Sequence, residues 1–148
     1  MSQTSTISSI HITSIEAVQA AVEELKRRGV KIELGTNAEP RAWSRGQLPV
    51  APYLLQLPEC RFDVGLYESE KNGVKGYTPK CDLHGGLIAD HIGVPQEKGV
   101  DSTQAQLGKF MQEYVLCATE REAFQRGYQA SRVPQQDGSV QLVISGAA

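Results

Sequence analysis

Cysteine is scarce: three residues in 148, widely spaced. Three thiols cannot all pair within one chain, which excludes a disulfide framework and implies reduced cysteines in a cytoplasmic protein. Long hydrophobic runs are absent too. Nothing approaches the ~20 apolar residues of a membrane-spanning helix, and the polar opening at residues 1–9 has no signal-peptide core. Neither sign of charge dominates. Fifteen Lys and Arg stand against seventeen Asp and Glu, a net −2, so nothing draws the whole chain to nucleic acid or to an anionic membrane. Such binding needs a local patch. The Gly-x-x-x-x-Gly-Lys-Ser/Thr phosphate loop is missing as well; Gly85-Gly86 near Lys80 lacks both the pattern and the strand-to-helix context.

What is present belongs to one ordinary globular domain, residues 1–148, with 40% hydrophobic and 22% charged residues. Ile7, Ile10 and Ile12 mark a first strand over residues 6–12. A helix follows over 15–28. Thr13 and Glu16 have capping-box spacing, and Ile15, Val18, Val22 and Leu25 share one face. Lys26, Arg27 and Arg28 suit the negative end of its dipole, and Gly29 stops it. Val30, Ile32 and Leu34 alternate as a half-buried strand.

Residues 35–59 then read as an irregular insertion, because Pro40, Pro49, Pro52 and Pro58 remove ladder donors and break helices. Trp43, Leu48, Val50, Tyr53, Leu54 and Leu55 make it too apolar for a solvated linker. Two readings stay open: it packs over the sheet as a lid, or it offers apolar groups to a partner. A strand at 62–68 turns back at Asn72-Gly73, whose residues tolerate the positive φ angles of a type I′ turn. The return strand covers 74–77, or runs on to 83. Gly85-Gly86 breaks it, and the chain wanders to Gly99. A second helix starts at Asp101 or Ser102, with Gln104 as capping partner, and runs to 125 or 126. Leu107, Phe110, Met111, Tyr114, Cys117 and Ala118 line one side of it. A closing hairpin over 128–133 and 139–144 is signalled by Asp137-Gly138, with Pro134 at an edge or at the end of pairing.

This order predicts an α+β fold in two layers, a mostly antiparallel sheet with two helices on one face. A ferredoxin-like plan with an extra C-terminal strand fits it. The second sheet face is then polar, covered by the Pro-rich segment, or buried in a homodimer.

Several stretches carry a family likeness. They are Phe110-Met111-Gln112-Glu113-Tyr114, Gln125-Arg126-Gly127-Tyr128, Gln136-Asp137-Gly138 with the apolar strand to Ile144, and Phe62-Asp63-Val64-Gly65-Leu66. With the early helix they are the marked points of a patchy resemblance that extends over about two-thirds of the chain. The pattern resembles the family called domain of unknown function twelve-fifty-seven, found in cyanobacteria, algal plastids and phages. The chain departs from it in the Pro-rich insertion and at Cys81-Asp82-Leu83-His84-Gly85-Gly86. The resemblance implies a fold and no reaction, cofactor or catalytic residue. By analogy alone, a phage or bacterial member would modulate a host protein.

Three function classes follow from the residues. The first is a non-enzymatic module that binds a protein partner through Trp43, Leu48, Tyr53 and Leu54. The second is a zinc-binding or thiol-dependent enzyme at Cys81-x-x-His84. Thiolate and imidazole are ligands zinc prefers, with Cys60, His91 or Cys117 as additions; alternatively Cys81 is a nucleophile with His84 or His91 as base and Asp82 or Asp90 orienting it. Structural zinc sites bring two tight ligand pairs, however, and only one is here. The third is single-stranded nucleic-acid binding by the 62–83 hairpin, with Lys71, Lys75 and Lys80 around Tyr77. Glu68 and Glu70 on the facing strand oppose it. The favoured expectation is a contact protein with no cofactor, no enzymatic activity and no membrane.

Overall fold

Helix α1 (Ile15–Arg27) begins where Ser14 places its hydroxyl to accept the Ala17 N–H. The cap is thus one residue later than the Thr13–Glu16 box predicts. Tertiary contact explains the shift: the Tyr114 hydroxyl accepts the N–H groups of both Thr13 and Ser14, at 3.0 and 3.2 Å. The helix ends as the sequence indicates. Gly29 adopts φ +94° and the Val30 N–H returns to the Leu25 carbonyl.

The structure, a computed structural model, describes residues 4–7, 10–94 and 105–146. Five strands form the main sheet: β1 (Thr4–Thr6), β2 (Glu33–Ala38), β3 (Ala51–Gln56), β4 (Val64–Lys71) and β5 (Val74–Asp82). Their order is β1-β5-β4-β3-β2, every pair antiparallel. A 3-10 turn (His84–Gly86) leads into α2 (Leu87–Ile92), and α3 spans Gly108–Gln125. Strands β6 (Gln129–Pro134) and β7 (Val140–Ser145) form a second sheet of their own. The predicted cap at Asp101 or Ser102 with Gln104, and the stretch 95–100, lie outside the described residues.

The α+β class holds, with α1 and α3 packed on one face of an antiparallel sheet. Ala17, Val18, Val22 and Leu25 of α1 meet Phe110, Tyr114 and Cys117 of α3, and both meet Leu55, Val64, Leu66 and Cys81 of the strands. Connectivity differs from a ferredoxin-like plan: β2 to β5 form a meander, and the closing hairpin stands apart instead of extending the sheet. Asn72 (φ +51°) and Gly73 (φ +79°) make the expected two-residue turn between Lys71 and Val74.

The insertion at 35–59 is corrected. Its middle is β3, an inner strand between β2 and β4. Proline survives there because Pro52 sits one residue beyond the last β3–β4 pair, Tyr53 with Leu66, and opposite Asn37, where the β2–β3 ladder is interrupted between the Thr36–Tyr53 and Ala38–Ala51 pairs and Asn37 takes φ +50°. The residues before β3 do act as a lid. Leu48 is buried, the Pro49 carbonyl accepts the Tyr67 hydroxyl, and the Trp43 N–H donates to the buried Asp82 carboxylate. Arg41 clamps the lid's start, gripping buried Asp63 with its backbone N–H and two guanidinium nitrogens. That carboxylate raises the Arg41 pKa.

Candidate protein-contact surface

The four residues expected to meet a partner do not share a surface. Leu48 and Leu54 are each 1% exposed, and Tyr53 is half-buried, edge-on to Tyr77 at 5.5 Å between centroids. Of the four, Trp43 alone is fully on the surface, at 50% exposure. Its ring sits 4.6 Å from that of His84, with the Arg61 guanidinium over it at 5.7 Å. Elsewhere in the lid Leu48 is buried, and Val50, just before β3, is exposed at 62%.

Cys81 and His84 also part company. Strand alternation sends Cys81 into the core beside Leu66 and Val64, while the His84 ring lies tilted at 55° against that of Trp43, outside the core. Burial pushes the Cys81 thiol up to about 12, and neighbouring Asp82 adds to the rise, so thiolate is unfavourable there. Asp82 itself accepts from the N–H groups of Trp43 and His84. It is a structural anchor, held by backbone donors. Cys60 and Cys117 are buried. Among the described residues no three His, Cys, Asp or Glu side chains are grouped to hold a metal ion.

The 62–83 hairpin divides its cations between two faces. Lys75 and Tyr77 fall on one side of the pleat and Lys80 on the other. Glu70 lies directly opposite Lys75, and Glu68 opposite Tyr77, as cross-strand neighbours. The Lys71 ammonium donates to the Ile10 carbonyl. The group does not converge on one strip of nucleic acid.

The C-terminal unit carries what those places lack. Glu113, 2% exposed on α3, binds Arg28 at 2.8 Å and Arg132 at 2.7 Å, and accepts the Cys117 thiol at 3.4 Å. Arg132 also holds Glu120 at 2.6 Å. These carboxylates, Glu120 first, raise the Arg132 pKa. Burial, then the Glu113 bond, pushes Cys117 up to about 11. The cluster fastens one face of the hairpin to α3, and α3 to the end of α1. On that face Val140, Leu142 and Ile144 of β7 alternate with Gln141 and Val143, which face solvent. Ile144 helps to line a shallow cleft of about 250 Å³ with Ala123 and Tyr128. Phe124, at the end of α3, is 80% exposed, and Val133, Val143 and Ile144 are exposed as well.

The outer edge of β7 is the feature of interest. The Gln135 N–H donates to the Ser139 carbonyl, so these two form a hydrogen-bonded pair of the ladder. Antiparallel pairs alternate, so Val133–Gln141 and Ser131–Val143 are bonded pairs too. Val140, Leu142 and Ile144 therefore turn their N–H and C=O groups away from β6, along an edge that no strand among the described residues covers. The outer edge of β6 is blunted by Pro134 and by Arg132. β1 is three residues long, and β2 is interrupted at Asn37, whose φ is +50°. Among the described residues, β7 alone presents a regular, uncharged open edge; no charged residue occurs from Ser139 to Gly146. Two sequence signals pointed to it, Pro134 and that charge-free run. The buried Glu113 had no such signal, because Glu113 reads as an ordinary polar helix position.

Comparison with protein-family models, with curated proteins and with solved structures finds no match to this chain. No helix among the described residues is long and apolar enough to cross a membrane.

Proposed function

We propose that this protein acts by contact with another protein, which adds an extended strand to the open edge of β7. One observation carries the reading: Val140, Leu142 and Ile144 direct their main-chain groups outward from a two-stranded sheet whose edge strand bears no charge. A lone two-stranded ribbon is marginal in water, and an uncharged open edge is a template for pairing. Strand addition supplies main-chain hydrogen bonds for affinity, and alternate side chains for selectivity. Ile144, 49% exposed on β7 itself, gives an arriving strand an apolar neighbour.

The test is a photo-cross-linking amino acid at Val143, on the solvent face of β7, and as control at Gln19 on the outer side of α1. Irradiation in the native host is expected to yield a discrete protein adduct from position 143 and none from position 19. Adding Gln141→Lys should abolish the adduct, since a lysine beside the edge repels pairing. Absence of any adduct at 143 would sink the reading.

A further inference from the structure

We infer that the strand received by β7 is β7 of a second copy, related by a two-fold axis through Leu142; this rests on the contact reading above. The edge's own geometry is self-complementary. Its outward main-chain groups belong to Val140, Leu142 and Ile144, three alternate residues centred on Leu142. Only one antiparallel self-pairing engages all three in both chains: Leu142 opposite Leu142 of the other copy, and Val140 opposite its Ile144. Each such pair exchanges two N–H···O=C bonds, so about six close the joint.

Side chains and charge agree with that register. Val140, Leu142 and Ile144 meet their counterparts on the face that already lies against α3, so aliphatic groups oppose aliphatic groups across the seam. On the solvent face Gln141 comes opposite Val143 of the other copy. Two identical strands can lie side by side only when they carry no like charges that end up opposed, and the run from Ser139 to Gly146 has none. The result is a four-stranded sheet, β6-β7-β7-β6, with its only edges the two β6 strands that Pro134 and Arg132 protect. Both α3 helices cover the same face of it. The contact is isologous, so it closes at two copies instead of propagating.

The test uses the purified full chain, with native mass spectrometry and sedimentation over a range of concentrations. The wild type is expected to be a dimer. Gln141→Lys with Val143→Lys puts lysine opposite lysine twice across the seam and should give a monomer with unchanged far-ultraviolet circular dichroism. Gln141→Glu with Val143→Lys puts glutamate opposite lysine in this register and should restore the dimer. Dimerisation that survives the double-lysine change, or that the charge pair fails to restore, overturns the register. If the double-lysine chain does not fold, a photo-cross-linker at Val143 of the purified protein decides the matter: the adduct must join the Gln141 region of a second copy, and any other junction overturns it. A wild type that is monomeric at every concentration overturns the dimer. The contact reading survives that result if the cellular cross-link at Val143 joins a different protein, and falls with it if there is no adduct.

Discussion

At the scale of single residues, the cysteines behave as core side chains. Cys60, Cys81 and Cys117 are all buried. Cys81 stands furthest from reactivity, its thiol raised from 9.0 to about 12, first by burial and then by Asp82. A group whose pKa rises on folding contributes stability that is complete below its unfolded value and fades as pH climbs through the folded one. For Cys81 that window runs from 9 towards 12. Stability should therefore decline on the alkaline side, and Cys81→Ala should decline less steeply from a lower start, as followed by urea midpoints across that window. Ellman's reagent should meanwhile release almost no chromophore from the folded protein at neutral pH, and titrate all three thiols in denaturant. Rapid labelling of folded Cys81 would instead reopen a thiol chemistry. None of this was legible in Cys81-x-x-His84. The spacing places two residues close along the chain, whereas strand alternation decides that one enters the core and the other does not.

Individual elements were legible where one residue type leaves few alternatives. Asn72-Gly73 gave its turn, Gly29 its helix stop, and Phe110, Tyr114 and Cys117 their buried helical face. Strand β3 was hidden because four prolines outweighed the apolar residues between them, and only the tertiary setting shows that Pro52 falls just past the β3–β4 ladder. Short α2 escaped for a related reason: Ile88 and Ile92 make a single helical repeat, too little to read as periodic. How elements join was less visible still. Glu113 holds α1, α3 and β6 together through Arg28 and Arg132 from inside the protein. Removing its charge leaves two guanidinium groups facing a neutral amide. Glu113→Gln should cost about 2 kcal/mol, less than a fully buried pair would because Arg28 is half-exposed and reaches water. Glu122→Gln is the control, since its pair with Arg126 is open to solvent and surface pairs contribute about 0.5 kcal/mol. Urea unfolding of both variants separates the two. Equal losses would mean that the cluster does not fasten the hairpin.

For the whole molecule, the sequence foretold two layers and an antiparallel sheet, but not that the closing hairpin would stand outside that sheet. Strand order depends on which edges meet, and the alternation of apolar residues in β7 is the same whether its neighbour is β1, β6 or a second chain. The separation divides the protein into a main sheet gripped on one face by helices and a ribbon attached chiefly through Arg132 of β6, which binds Glu113 and Glu120 of α3. Hydrogen exchange can read the state of that ribbon one amide at a time. The Gln141 and Val143 N–H groups point to β6 and should be protected at any concentration, since their bonds lie within one chain. The N–H groups of Val140, Leu142 and Ile144 point outward, so their protection should rise with concentration as chains pair and vanish in the chain carrying both Gln141→Lys and Val143→Lys. Amides of β4 and β5 set the reference, because both strands lie inside the main sheet and should not respond to concentration. A two-residue periodicity in protection along one strand, switched by concentration, is a pattern that local fraying does not produce, because fraying opens neighbouring amides together. Uniform protection from 140 to 144 at all dilutions would place another strand or covering segment of the same chain on the edge, and the docking surface would then lie elsewhere.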